Sequence, residues 1–378
     1  MAEEKTDAPK AEEEDGAAKL RSVHTTSMPQ LLKQLGVSIA ISTYQAGKVI
    51  IARAEGDKLN THFRNFNTPM GMALHEGRLA IGTKLDVQEM VNQYDVAVKL
   101  KPEGKHDACF MPRYTHFTGN IGIHEMAWVE NEIWLVNTRF SCICTLRKDA
   151  SFIPRWRPKF VTALASEDRC HLNAFGVRNG KIKYVTALGA TDTNAGWREN
   201  KARGGVLMDF DSNEFISQGL SMPHSPRWYN ERLWILESGA GSISLVDESS
   251  GRLDHVCMLP GFTRGVDFFG PYAFIGLSQV RESAVFSGIP ITERLPKPED
   301  RSCGVWVVDL RTGQIVAFLR FEEGVQEIFS VLVLPYRFPE LLNEEDDEFL
   351  ANSFMLPDEY MKEVAFSPPP TDEQKTEQ

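Results

Sequence analysis

Six short segments of this chain share one pattern, and that recurrence constrains the fold more than any other feature. They are Met70-Gly71-Met72-Ala73-Leu74, His124-Glu125-Met126-Ala127-Trp128, His171-Leu172-Asn173-Ala174-Phe175, His224-Ser225-Pro226-Arg227-Trp228, Arg264-Gly265-Val266-Asp267-Phe268 and Gln326-Glu327-Ile328-Phe329-Ser330. Their starts lie 54, 47, 53, 40 and 62 residues apart. After five of them a turn rich in Gly and Asn leads to a second apolar run: Arg78–Gly82, Glu132–Val136, Lys181–Thr186, Arg232–Leu236 and Tyr272–Leu277. Short apolar runs separated by turn residues are strands rather than helices. A repeat of roughly 40–50 residues with about four strands each is the pattern of a β-propeller.

The sixth copy has no second strand after it. Three strand-like runs, Val37–Thr43, Lys48–Ala54 and Leu59–Phe66, stand unassigned before the first copy. The sequence therefore predicts one all-β, six-bladed β-propeller whose sixth blade is closed by one C-terminal and three N-terminal strands. Closure of this kind removes the free sheet edges of an open array. Residues 1–25, rich in Glu, Asp, Ala and Lys, are expected to be a disordered acidic tail. A short helix is expected over Ser27–Leu35, the propeller over 26–345, and a C-terminal extension over 346–378 that ends in a disordered Pro-rich tail.

The net charge of −11 argues against a nucleic-acid partner, since phosphate backbone calls for a basic surface. No run approaches the ~18 apolar residues of a membrane span. The first residues have no apolar h-region of a secretory signal. Six cysteines in 378 residues do not make a disulfide framework, and Cys142-Ile143-Cys144 is not a zinc-ribbon spacing. These features predict a cytoplasmic protein with reduced thiols.

In a propeller the first strand of each blade lines the axis, and the tips of the second strands surround the start of the first strands. The first repeat position reads Met70, His124, His171, His224, Arg264 and Gln326. Three histidines in successive blades predict a facial three-nitrogen site for a divalent ion, Zn or Fe. The competing expectation is that each is a hydrogen-bonded channel residue. Arg264 is suited to a substrate carboxylate or phosphate, or alternatively to an Arg264–Glu327 or Arg227–Asp267 pair that braces neighbouring blades. Glu125 is a candidate acid/base or outer ligand, expected to face away from His124 by strand alternation, and Tyr44 is a candidate proton donor. Arg139 and Glu237 on second-strand tips, and Gln326 on the ring, are candidate substrate contacts. Two long loops, 189–200 and 279–301, should lie on the same rim, and the first contributes Trp197 and Arg198 as further contacts. No P-loop, dinucleotide-binding glycine pattern, nucleophile elbow, WD40 signature or calcium loop is present.

The runs Ser42-Thr43-Tyr44-Gln45-Ala46-Gly47-Lys48, Pro69-Met70-Gly71-Met72-Ala73, His124–Trp128 and Met222–Trp228 resemble a bacterial family known only as conserved hypothetical, over roughly residues 30–340. The resemblance implies a propeller and brings no activity. More loosely, the site resembles that of metal-dependent six-bladed propeller enzymes, the gluconolactonase-like hydrolases and the peptidyl-amidoglycolate lyases, of which the latter carry a three-histidine zinc. The Glu, Asn and Asp ligands of the lactonases are not matched. Two functions lead: a metal-dependent lyase, hydrolase or oxygenase acting on a small polar or carboxylate-bearing molecule, or a non-catalytic propeller that binds a protein, peptide or small ligand on the histidine rim; a sugar- or nucleotide-sensing module is a third.

Overall fold

The computed structural model describes residues 20–279 and 288–356. It is a six-bladed propeller of antiparallel blades. Blade six contains Ser330–Leu334, Ser38–Thr43, Lys48–Glu55 and Lys58–Asn65 in that order. The closure pairs Ser42 with Ser330 and Ser38 with Leu334, as the unassigned strands required. Ile39, Ile41, Ile50 and Ala52 from the N-terminal strands share one buried core with Val331 and Val333. The helix Ser27–Leu35 forms as expected and buries Met28, Leu31 and Leu32 in that core; Gly36 ends it in the left-handed conformation.

Both chain ends contribute more structure than the sequence suggests. Arg21–His24 is not tail: it adds a fifth strand to blade five by pairing with Gln314–Glu323. The tail read over residues 1–19, like the C-terminal tail over 357–378, lies outside the described residues. Pro339–Leu341 runs parallel to Ala108–Phe117 and is a fifth strand of blade one. Apolar side chains pack between blades, and glycine lets the inner strands approach. A Cβ on Gly71 would stand 2.3 Å from the His124 carbonyl oxygen. Gly265, at φ +75°, would place one 2.9 Å from Ser330 Cα.

The C-terminal strand is held by a buried polar clasp between blades six and one. Glu340, 8% exposed, receives His62 at 2.7 Å and Arg64 at 3.3 Å, with Arg53 at 3.6 Å and His106 at 3.5 Å. Arg64 Nε also donates to the Leu341 carbonyl at 2.7 Å, and the Arg53 guanidinium stacks 3.8 Å from the Phe338 ring. Burial alone would raise the Glu340 carboxyl. The hydrogen bond and charge of His62, together with Arg53, outweigh it and hold Glu340 down at about 2. A carboxylate whose folded value is depressed stabilises the fold fully above its unfolded value and loses that contribution as pH falls toward the folded one. Glu340→Gln should therefore cost about 3–5 kcal/mol at neutral pH, the cost of breaking a buried pair. It should also flatten the loss of stability that the wild type shows from the ordinary carboxylate value of 4.5 down to about 2, measured by urea unfolding across that range.

Candidate functional site

The inner strands converge on a small chamber of about 20 Å³, lined by His124 and Glu125 from blade two, Asn173 and Ala174 from blade three, His224 and Ser225 from blade four, Arg264 and Gly265 from blade five, and Phe329 and Ser330 from blade six. That is room for one water or one ion. The ring at this level differs from the sequence repeat in two blades. Hydrogen-bond register pairs Leu172 with Ala187 and Ala174 with Thr186 in blade three, whereas Ile123 pairs with Asn137 and Met126 with Leu135 in blade two. Asn173, not His171, thus occupies the place of His124. In blade six the inner strand begins at Ser330, so Phe329 rather than Gln326 stands beside Arg264.

His171 sits one level nearer the rim, at φ +47° just before its strand. It still reaches the ring: its imidazole meets that of His124 edge-on at 4.9 Å. Asp168, Met222 and Ser225 also have positive φ. Left-handed backbone at several non-glycine positions around one site is costly strain, of a kind that collects where function requires it.

The three imidazoles are tied in one way. His124 Nδ1 lies 3.1 Å from the Gly122 carbonyl and 2.8 Å from Thr138 Oγ1. His224 Nδ1 lies 3.0 Å from the Met222 carbonyl and 3.0 Å from Ser238 Oγ. Carbonyl oxygens only accept, so in both rings Nδ1 carries the hydrogen and Nε2 carries a lone pair. Thr138 gives its own hydrogen to the Leu172 carbonyl at 2.7 Å, which leaves its oxygen to accept from His124. His171 Nδ1 lies 2.9 Å from Asp168 Oδ2, an oxygen that also accepts from Trp197 Nε1 at 3.1 Å. Burial, then the neighbouring His171 and Arg264, push the His124 ring well below its ordinary value; burial and Arg264 do the same to His224. Both are neutral. His124 Nε2 is fully buried with no hydrogen-bond partner, a deficit of about 1–3 kcal/mol unless something fills it.

Arg264 is the second uncompensated group. Its guanidinium lies 3.9 Å over the Phe329 ring and 5.8 Å from that of Tyr44. Neither of the bracing ion pairs considered from the sequence forms: Arg227 goes to Glu125 instead, and among the described residues no carboxylate pairs with Arg264. Burial pushes it down to about 9. The chamber thus combines a lone pair without a donor and a guanidinium without an anion. Among the described residues, no three His, Cys, Asp or Glu side chains are grouped at metal-ligating spacing.

Other expected residues fall elsewhere. Glu125 does not face away from the axis, because a bulge at 124–125 breaks the strand alternation. It lines the chamber and accepts from Arg227 at 2.8 Å. Tyr44 is at the site, edge-on to Phe329 at 5.6 Å. Trp197 is 3% exposed and covers His171 at 4.5 Å, so it positions that ring rather than offering a free surface. Arg198 is exposed, 5.1 Å from the Trp197 ring. Arg139 is exposed on the rim and donates to the Asn120 carbonyl. Glu237 is engaged with the Ser221 amide at 3.0 Å, away from the chamber. Gln326 fixes the rim through its backbone, which bonds Gln45 and Gln279. The two long loops share a small apolar core of Leu188, Trp197, Met222, Phe262, Ile289 and Ile291 that roofs blades three to five. Arg281 and Glu282 of the second loop lie outside the described residues. All six cysteines are free thiols, five of them buried.

Sequence reasoning missed Asp168, Thr138, Ser238 and Phe329. One signal was available: hydroxyl residues recur at the second-strand tips. Ser42 bonds the Met70 carbonyl at 2.5 Å, Thr138 that of Leu172, and Ser278 that of Ile328 at 3.1 Å, each stapling one blade to the next.

A family model described as a domain of unknown function, DUF4915, matches residues 26–342. The chain belongs to that family. No curated protein matches it. Among solved structures, a chain of a nidogen/laminin complex is 9% identical, with 80% of this chain and 100% of that chain covered at a TM-score of 0.49. A protein of unknown function from Bacteroides caccae is 8% identical, with 79% and 99% covered at 0.49. A catalytically inactive variant of virginiamycin B lyase from Staphylococcus aureus, crystallised with quinupristin, is 10% identical, with 80% and 99% covered at 0.38. At such values no functional argument rests on them.

The tautomers give a direct check. Nitrogen NMR of labelled protein should show His124 and His224 as neutral rings with hydrogen on Nδ1, unchanged from about pH 8 to about pH 6, because burial depresses both. Titration of either ring with an ordinary midpoint near about 6.5 would contradict this geometry.

Proposed function

We propose that the chain is a metal-dependent enzyme, working in the cytoplasm, that acts on a small anionic molecule at the histidine mouth of the channel. The single observation that carries the reading is the buried Nε2 of His124, which has no hydrogen-bond partner and stands in one chamber with a guanidinium that no carboxylate of the described residues pairs with. His124, His224 and His171 would hold a divalent ion, Zn or Fe, through their Nε2 atoms. Each has Nδ1 tied to an oxygen, the arrangement that orients metal-binding imidazoles. Bound there, such an ion would supply Lewis acidity. Arg264 next to a dication is unfavourable unless an anion lies between them, which is what a substrate carboxylate or phosphate provides. Tyr44, whose ring lies 5.8 Å from the Arg264 guanidinium, would be the proton donor, and Glu125 is held by Arg227 rather than free for proton transfer.

A second reading is favoured by Asn173 in the third ring position and by the lack of a ready three-ligand group among the described residues. In it, the chamber takes an anion and a hydrogen-bond donor without metal, and the propeller binds rather than catalyses.

Elemental analysis of protein purified without a histidine tag separates the two. The enzyme reading predicts about one metal per chain, reduced at least ~10-fold in His124→Ala and in His224→Ala. Arg264→Met should keep the metal and lose binding of inorganic phosphate or malonate in calorimetry. Wild-type protein with less than ~0.2 metal per chain after exposure to zinc and to ferrous iron, yet with anion binding intact, would replace the first reading by the second.

A further inference from the structure

The channel has a second mouth, on the side of the turns between first and second strands. It opens into a funnel of about 250 Å³ lined by Trp128, Trp228, Phe175, Met72, Met126 and Leu74, with Glu125, Arg227 and Asp267 among its polar groups. Glu125 also lines the histidine chamber, and its pair with Arg227 at 2.8 Å stands between the two compartments. Arg227 is further occupied by the Phe175 and Pro226 carbonyls at 3.3 and 3.1 Å. One negative charge in this funnel is left over. Asp267 accepts the Val333 amide at 2.7 Å and the Phe268 amide at 2.9 Å, and among the described residues it has no ion-pair partner. Burial pushes its carboxyl up, against the two amide hydrogen bonds and the more distant charge of Arg227. His75 is the remaining titratable group of the lining. Trp128 adds a second unmet need: its indole N–H is buried without an acceptor, while Arg78 covers one face of the ring at 4.0 Å.

We propose that this funnel is a second, separate binding site, for a small organic cation with an apolar body and a hydrogen-bond acceptor close to its charge, such as an amino amide or amino alcohol. An ammonium satisfies the spare valences of Asp267, and the acceptor satisfies Trp128. Trp228, Phe175 and the two methionines take the apolar body, with the aromatic faces adding attraction for the cation. An apolar cavity of about 150 Å³ holds a benzene, so the 250 Å³ of this funnel admits a ring with a short polar arm. Nothing in this site depends on a metal in the histidine chamber.

The test uses the full-length protein and two probes that differ by one amine, L-phenylalaninamide and 3-phenylpropanamide, in calorimetry at neutral pH. Saturable binding of the first, at least ~10-fold tighter than the second, is expected. Asp267→Asn should abolish the difference between the probes. Trp128→Phe, which keeps an aromatic side chain but removes the N–H together with the second ring of the indole, should weaken both probes several-fold while leaving the preference for the amine. If Asp267→Asn fails to fold, Trp128→Phe alone carries the test. His224→Ala should leave the affinity unchanged, so the site stands or falls independently of the metal analysis. Equal affinity for the two probes, no saturable binding of the amine, or loss of it in His224→Ala would overturn the proposal.

Discussion

Ring closure is the constraint on which the rest depends. The pairing of Ser38–Thr43 with Ser330–Leu334 brings together Ser42 and Ser330, 288 positions apart in the chain. Without it the sixth blade has one strand and the apolar faces of the fifth and first blades have no neighbour. With it, six inner strands surround one axis, and side chains far apart in sequence become a ring. The additional strands at the chain ends, Arg21–His24 and Pro339–Leu341, and the Glu340 clasp reinforce the same seam.

Closure also explains why the polar groups on the axis are unusual. Backbone bonds are satisfied within each blade, so side chains on the inner strands must find partners along the channel or remain without them. Most do find partners. Hydroxyls at Ser42, Thr138 and Ser278 staple carbonyls of the next blade, Asn173 bonds Pro223 and Thr186, and Glu125 meets Arg227. The exceptions are arranged by charge. The His124 lone pair and the cationic Arg264 are unmet on the histidine side, and the anionic Asp267 has no ion-pair partner among the described residues on the tryptophan side, with a neutralised pair between. A fold that meets so many of its polar obligations leaves those few open at a cost, and a ligand is the simplest explanation.

The architecture was legible because it rests on periodicity. Turn residues and apolar runs follow five of the six copies, and the second strands fall close to their expected limits, as at Arg78–Gly82 and Arg232–Glu237. The site was legible only in part, because it rests on register. Irregularities in the inner strands of blades two to five shift alternation, which turned Glu125 inward and put Asn173 where a residue count puts His171. The start of the last inner strand at Ser330 similarly replaced Gln326 by Phe329. Trp197 read as an exposed contact because loops are usually exposed, yet this one folds back with Ile289 and Ile291 into a core of its own. The charge state of the axis was not readable at all, since it depends on which carboxylate fails to reach Arg264.

The proposed metal site rests on the buried, unpartnered Nε2 of His124 and the imidazoles of His224 and His171 near it. Anomalous diffraction from crystals of untagged protein grown with zinc or ferrous iron tests it most directly. One anomalous peak is expected on the axis, within about 2.0–2.1 Å of the Nε2 atoms of His124 and His224. A well-ordered chamber without anomalous signal, holding a water that donates to His124 Nε2, would contradict it.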